Sequence, residues 1–187
     1  MQRSVAQITT ATTIASAPQQ PDDCVTKGAQ YHGVNAWVLR AILKVESNFN
    51  PKAVNRNKNG TIDVGIAQYN SRNFSELKKF GISPDDLMDA CVSSYIAAWH
   101  LKKLIRTYGD NWYAIGAYNS TTPCYNDRYS SLVWNTLLSW QVVGGRPISV
   151  HSLQSCEGAG QSRGVNVRTN QDASPMVAYD SISTEAQ

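Results

Sequence analysis

The sequence predicts a mainly α domain, in which an irregular segment separates two groups of helices. Leu39, Ile42 and Leu43 repeat at the spacing of a single helix face. A second and longer helical pattern spans residues 90–108. Between these helices lie residues 50–61, which are rich in Asn and also contain Pro and Gly, the residues typical of turns.

The first predicted helix begins near Asn35 and runs to Ser47. Its apolar face also carries Glu46, so the pattern places a carboxylate among side chains that are expected to be buried. Residues 50–61 are predicted to be irregular, and residues 62–70 fit either a strand or a loop.

The second half of the domain is predicted to be helical. Residues 83–86 have the signature of a helix start, because a capping Ser is followed by Pro and two acidic residues. The long helix over residues 90–108 should end at Gly109. Two shorter helices are predicted over residues 112–118 and 130–143.

The chain divides into three parts. Residues 1–21 are interpreted as a leader, because a mildly apolar stretch ends at Ala15-Ser16-Ala17, a small-x-small cleavage pattern. Residues 22–145 are predicted to form the folded domain. Residues 146–187 are polar and lack periodicity, which predicts a disordered tail, with Cys156 the one reason to expect its first part to be held in place.

Composition excludes several classes of protein. The chain has 187 residues, of which 42% are hydrophobic and 17% charged, which argues against a wholly disordered chain. It lacks an uninterrupted apolar run long enough for a membrane-spanning helix. The net charge of +3 comes from scattered basic residues and not from the basic stripe of a nucleic-acid-binding protein.

The cysteines indicate disulfides and not a metal site. The chain lacks a Cys-x-x-Cys pair, and its three His are far apart in sequence. An even number of widely spaced cysteines suits disulfides in an oxidising compartment, with buried free thiols as the alternative. The four cysteines are Cys24, Cys91, Cys124 and Cys156.

Glu46 has two interpretations on the helix pattern alone. It can turn to solvent at the helix end, or pair with Arg40 or Lys44. Alternatively it is a general acid, because burial disfavours the carboxylate and keeps a proton available near neutral pH.

A family resemblance favours the second interpretation. Residues 45–72 resemble the active-site segment of c-type lysozymes, with a Glu-Ser pair, an Asn-Arg-Asn turn and an Asp-x-Gly-x-x-Gln-x-Asn element at the same separations. Residues 116–119, Gly-Ala-Tyr-Asn, resemble an element of the soluble lytic transglycosylase (SLT) domain. The layout is similar to the specialised lytic transglycosylases of type III and type IV secretion, conjugation and type IV pilus systems. The resemblance implies a lysozyme-like α+β fold, with a helical domain, a small irregular or β lobe and a glycan-binding cleft.

The resemblance also implies catalytic roles. Glu46 matches the acid that protonates the glycosidic oxygen between N-acetylmuramic acid (MurNAc) and N-acetylglucosamine (GlcNAc) and then acts as a base. Asp63 matches the second carboxylate of lysozymes, which either stabilises the positive charge at the reacting carbon or forms a covalent intermediate. A residue that closes the turn after Gly60 is the structural alternative for Asp63.

Five further residues are candidates for substrate binding, and three of them have a structural alternative. Ser47 follows the acid and could equally cap the helix, while Gln68 should reach the sugar unless it is an exposed loop residue. Tyr118 and Asn119 match the pair that holds the catalytic Glu and the substrate, although a buried Tyr is more often core. Tyr69 is a candidate for stacking on a sugar.

The same resemblance supplies the remaining expectations. Related domains imply that Cys24 pairs with Cys91, leaving Cys124 for Cys156. The expected function is that of a periplasmic peptidoglycan lytic transglycosylase that forms 1,6-anhydroMurNAc and opens the wall for a secretion, conjugation or pilus apparatus. Its expected partners are peptidoglycan strands and proteins of that apparatus, without nucleic acid, cofactor or metal. The alternatives are a lysozyme-type muramidase and a non-catalytic glycan-binding scaffold subunit.

Overall fold

Seven α-helices and a three-stranded sheet form the described part of the chain, residues 22–159 of a computed structural model. The helices are α1 (Asp22–His32), α2 (Ala36–Ser47), α3 (Phe74–Lys78), α4 (Ala90–Tyr108), α5 (Trp112–Gly116), α6 (Pro123–Ser139) and α7 (Leu153–Ala159). The strands are β1 (Val54–Arg56), β2 (Ile62–Val64) and β3 (Tyr69–Asn70). Single turns of 3-10 helix lie at Ser71–Asn73 and Asp86–Met88. The predicted mainly α fold with a small β lobe is confirmed.

The predicted helices α2 and α4 form with their expected bounds. The side chain of Asn35 accepts hydrogen bonds from the backbone N–H groups of Trp37 and Val38, which caps the start of α2. Asp89 caps α4 in the same way, and α4 ends where Gly109 takes a positive φ of 88°. Both ends of these helices are therefore determined by local sequence.

Elsewhere the helix bounds differ from the prediction. The helix start predicted at 83–86 forms only a short 3-10 turn, which ends at Asp89, where the backbone is extended and the side chain caps α4. The helix predicted over 112–118 ends at Gly116. The last predicted helix begins at Pro123 and not near residue 130, because proline fits the first position of a helix.

The sheet resolves the open prediction for residues 62–70. Strands β1, β2 and β3 are antiparallel and lie in sequence order. Asp63 lies opposite Asn55 on one side and Asn70 on the other. The segment predicted to be irregular, residues 50–61, thus contributes β1 as well as turns.

The apolar face of α2 packs in two directions at the centre of the core. Val38 and Ile42 pack with Trp134 of α6, whereas Leu39 and Leu43 pack with residues of α1 and α4 and with the turn that joins β2 to β3. A third cluster lies under the sheet and α3. Helix α2 therefore connects the helical body to the small lobe, and it carries Glu46 at the junction.

The folded domain continues past the predicted boundary at residue 145. The indole of Trp134 donates a hydrogen bond to the carbonyl of Arg146, and the Asn135 side chain pairs with both backbone groups of Ile148. These bonds compensate for the weak apolar pattern, so residues 146–159 are folded and not part of a disordered tail. The predictions for residues 1–21 and 160–187 lie outside the described residues.

Two disulfides join the helices, and both implied pairings are confirmed. Cys24–Cys91 links α1 to α4, and Cys124–Cys156 links α6 to α7. The second bond closes a separation of 32 residues and anchors the segment that the sequence did not predict to fold. Among residues 22–159, none of the helices combines the length and apolarity that a membrane crossing requires.

Candidate active site

A cleft of about 570 Å³ lies between the helical body and the small lobe. The helical body contributes α2, α4 and the loop after α5, and the lobe contributes the sheet and the residues that flank it. The lining residues are Glu46, Asn57, Asn59, Thr61, Asp63, Ala67, Gln68, Tyr69, Asn70, Arg72, Asn73, His100, Ala117, Tyr118, Asn119, Ser120 and Thr121. Six of the seven predicted catalytic and substrate-binding residues border this cleft, and Ser47 is the exception.

Glu46 lies in the last turn of α2 and reaches the cleft from an otherwise apolar face. Burial raises the pKa of its carboxyl group to about 7, and the negative charge of Asp63 acts in the same direction. The hydroxyl of Tyr129 donates a hydrogen bond of 2.5 Å to Glu46 Oε1, which opposes this rise. Both protonation states of Glu46 are therefore accessible near neutral pH, as a residue that gives and takes a proton requires.

The basic neighbours of Glu46 are directed elsewhere. Lys44 donates to the side chain of Asn48, and Arg40 donates to the hydroxyl of Thr26. The structural alternative for Glu46, an ion pair at the helix end, is therefore not the arrangement that the structure shows.

Asp63 lies on β2, and an amide group binds each of its carboxylate oxygens. Asn57 Nδ2 donates to Oδ2 at 2.8 Å, and Asn70 Nδ2 donates to Oδ1 at 2.6 Å. Both amides also contact the hydroxyl of Thr61, so the four side chains form one network. This arrangement fixes the orientation of a carboxylate in the cleft, and Asp63 does not act as a turn-closing side chain.

Ser47 and Gln68 hold the wall of the cleft. The Ser47 hydroxyl donates to the carbonyl of Ile66 at 2.8 Å, which ties α2 to the turn between β2 and β3. Gln68 has a positive φ of 47°, and its side-chain amide donates to the carbonyls of Gly65 and Ala53. Ser47 thus orients backbone, whereas Gln68 both stabilises the turn and borders the cleft.

Tyr118, Asn119 and Tyr69 occupy different depths of the cleft. The Tyr118 hydroxyl donates to the carbonyl of Ala67 at 3.3 Å, and the hydrogen bond that holds Glu46 comes instead from Tyr129. Asn119 is exposed at the rim. Tyr69 is only 3% exposed and packs in the lobe, so its ring does not present an open face for sugar stacking.

Sequence reasoning missed two residues of the cleft region, Tyr129 and His100. Tyr129 holds Glu46 from α6, and its ring stacks on that of Tyr118 at 6.3 Å. The sequence contains one indication of this role. Tyr129 lies four residues before Val133 on a buried helix face, and a buried tyrosine hydroxyl needs a hydrogen-bond partner. His100 borders the cleft from α4, and the sequence pattern alone gave it no role.

Comparison with known proteins decides the family. Residues 23–131, more than half of the chain, match the family described as Transglycosylase SLT domain. The chain belongs to this family.

Several curated proteins are similar to this SLT domain. Invasion protein IagB of Salmonella typhimurium (strain SL1344) is 36% identical over 117 residues, which are 60% of this chain and 73% of the relative. Protein IpgF of Shigella flexneri is 39% identical over 101 residues, 54% of this chain and 66% of the relative. An X polypeptide of Escherichia coli is 32% identical over 102 residues, 54% of this chain and 60% of the relative.

Family membership makes the chain an enzyme of the lytic transglycosylase type, with peptidoglycan as the implied substrate. The alternative of a non-catalytic glycan-binding scaffold subunit is therefore set aside. The two disulfides and the family together indicate an extracytoplasmic enzyme. Within residues 22–159, His, Cys, Asp and Glu do not gather into a group of three that could hold a metal ion.

Proposed function

We propose that the protein cleaves the MurNAc-β-1,4-GlcNAc bond of peptidoglycan and leaves a 1,6-anhydroMurNAc end. The observation that carries this proposal is Glu46, a carboxyl group in the cleft whose pKa of about 7 suits both halves of a proton relay. The SLT family and the cleft beside Glu46 support the choice of substrate.

In the first step Glu46 acts as a general acid. Its proton passes to the glycosidic oxygen, the bond from that oxygen to C1 of MurNAc breaks, and the GlcNAc residue leaves with a hydroxyl group at C4. Positive charge then develops at C1 and the ring oxygen. Glu46 becomes a carboxylate, which the Tyr129 hydroxyl stabilises.

In the second step the same carboxylate acts as a base. It removes the proton from the C6 hydroxyl of MurNAc, and O6 forms a bond to C1 and closes the anhydro ring. Glu46 ends protonated, as it began, and water is not consumed. Asp63, oriented by Asn57 and Asn70, supplies negative charge that stabilises the cationic intermediate.

Asp63 also favours one alternative, hydrolysis of the same bond as in a muramidase. Two carboxyl groups on one cleft are the arrangement of glycoside hydrolases, and the charge of Asp63 is felt at Glu46. In that reaction water attacks C1, directly or after a covalent intermediate on Asp63, and the product has a reducing end.

Mass spectrometry of the sugars released from purified peptidoglycan tests the proposal. The expected products end in 1,6-anhydroMurNAc and resist reduction by borohydride, whereas reducible MurNAc ends would overturn it in favour of the muramidase. Glu46→Gln, which keeps the size of the side chain but cannot transfer the proton, should release neither product. Arg72→Gln, at an exposed position on the cleft rim, serves as the comparison for a change of charge nearby.

The cellular role is a further part of the proposal. We infer that the enzyme is exported to the periplasm, with residues 1–21 as its leader, and opens the wall locally for a secretion, conjugation or pilus apparatus. The similarity to a protein named for invasion supports a role in such an apparatus. Fractionation of cells that express the full chain should recover the protein in the periplasm, and recovery in the cytoplasm would contradict export.

A further inference from the structure

His100 is a half-buried, polar residue of the cleft for which the proposed reaction provides no role. It lies on α4, on the side of the helix that faces the small lobe. The Tyr69 ring meets it edge-on at 5.7 Å, and the Tyr118 ring meets it edge-on at 5.1 Å. These two rings come from the lobe and from the loop after α5, so the imidazole is held between both parts of the domain.

The environment of His100 keeps its imidazole neutral. Burial lowers the pKa to about 4, and the positive charge of Lys103 lowers it further, while Glu76 acts in the opposite direction. The ion pair of 2.7 Å between Lys103 and Glu76 partly cancels their effects on the ring. A neutral imidazole carries one N–H donor and one acceptor nitrogen.

The surroundings of the two nitrogens determine where the proton lies. Nδ1 of His100 is buried without a hydrogen-bond partner among the described residues. A buried N–H without a partner is rarer in proteins than an unpaired acceptor. We therefore place the lone pair on Nδ1 and the proton on Nε2. His100 borders the cleft, and Nε2, unlike Nδ1, is not a buried atom without a partner.

We propose that His100 is a substrate-binding residue whose Nε2–H donates a hydrogen bond to the acetamido carbonyl oxygen of an N-acetyl sugar in the cleft. This inference rests on the proposed peptidoglycan substrate. A neutral donor held between aromatic rings suits a neutral carbonyl acceptor. A carboxylate, such as the lactyl group of MurNAc, would instead select a cationic donor.

Gln and Asn carry the same amide group at different distances from the backbone, so substituting each at position 100 tests which ring nitrogen of His100 donates the hydrogen bond. In His100→Gln the amide nitrogen can occupy the position of Nε2, whereas in His100→Asn it falls near the position of Nδ1. Both variants are made in the full chain with Glu46→Gln, so that glycan strands are bound but not cut. Titration calorimetry with peptide-free peptidoglycan strands then gives the dissociation constant of each.

Loss of one hydrogen bond to the glycan corresponds to about a tenfold weaker affinity. His100→Asn should show this loss, and His100→Gln should remain within about threefold of the parent. The matched control is His32→Asn, because His32 packs on Tyr31 and Tyr95 and does not border the cleft. Wild-type affinity in His100→Asn, or equal losses in the Asn and Gln variants, would overturn the proposal.

A second measurement tests whether His100 contacts the acetamido group of the sugar. It compares two ligands on the same protein, so a change in folding caused by the substitution does not affect the comparison. De-N-acetylated strands should bind less tightly to the parent, and this loss should be smaller in His100→Asn, because the contact is already absent there. Equal losses in both proteins would show that His100 does not read the acetamido group. Reducing ends in the product analysis would contradict the transglycosylase reaction but leave this affinity series intact, so the two failures can be told apart.

Discussion

The hydrogen bond from Tyr129 to Glu46 predicts how one hydroxyl group sets the pH dependence of the enzyme. Burial raises the pKa of Glu46 to about 7, and the Tyr129 hydroxyl restrains this rise by stabilising the carboxylate. Tyr129→Phe removes a hydrogen bond to a charged group, worth about 1.5–3 kcal/mol. Since one pKa unit corresponds to about 1.36 kcal/mol, the pKa of Glu46 should rise by about one to two units.

The assay is the pH profile of kcat/KM for release of soluble fragments from purified peptidoglycan. Glu46 must carry its proton at the start of the reaction, so activity falls as pH rises through the pKa of the free enzyme. In Tyr129→Phe this fall should move to higher pH by about one to two units. The maximal rate should also decrease, because the variant no longer fixes the orientation of the carboxyl group or stabilises its charged form.

Tyr118→Phe is the matched control for this experiment. Its ring stacks on that of Tyr129, but its hydroxyl donates to the carbonyl of Ala67 and not to Glu46. In this variant the fall of kcat/KM at high pH, the basic limb of the profile, should occur at the same pH as in the wild type. The reasoning is refuted if the limb of Tyr129→Phe stays in place or moves to lower pH, or if both variants shift it equally.

Three further predictions concern stability. The folded-state pKa of Glu46, about 7, exceeds its ordinary value of 4.5. The free energy of unfolding of the wild type, measured by urea titration, should therefore decrease by about 3 kcal/mol as pH rises from about 4 to 8. Glu46→Gln should lack this loss, and an identical pH dependence would contradict the buried carboxyl. Gly65→Ala should prevent folding, seen as loss of the cooperative thermal transition, because φ is +78° and the new Cβ would lie 2.0 Å from the Leu87 carbonyl oxygen. Replacing Cys124 and Cys156 by Ser should lower the free energy of unfolding by about 3–4 kcal/mol, with a change below 1 kcal/mol arguing against the bond as an anchor.

Local sequence predicted those parts of the fold whose causes are local. Helices α2 and α4 have caps at Asn35 and Asp89, and Gly109 ends α4 through a positive φ. The segment 146–159 was not predicted to fold because its apolar residues are sparse. Its order depends on hydrogen bonds to α6 and on the bond to Cys124, which sequence periodicity does not report.

The candidate site was predictable to the extent that its residues are close in sequence. Glu46 and Asp63 were found through spacing that resembles lysozymes, and both border the same cleft. Tyr129 lies 83 residues from Glu46, and its role becomes visible only when α2 and α6 pack together. Sequence reasoning assigned to Tyr118 the contact with Glu46 that Tyr129 makes, because either tyrosine hydroxyl could donate a hydrogen bond to a buried carboxyl group.

The contrast between the two carboxyl groups explains why the cleft needs walls of different character. Glu46 extends from the apolar face of α2, where desolvation favours the proton and a single phenol restrains it. Asp63 lies on a strand, where Asn57 and Asn70 each donate to one of its oxygens. In the proposed reaction, the first environment suits proton transfer by Glu46 and the second suits charge stabilisation by Asp63. Helix α2 is joined to the turn between β2 and β3 by the Ser47 hydroxyl bond to Ile66 and by the apolar cluster that Leu39 and Leu43 share with that turn, and these contacts position the two carboxyl groups relative to each other.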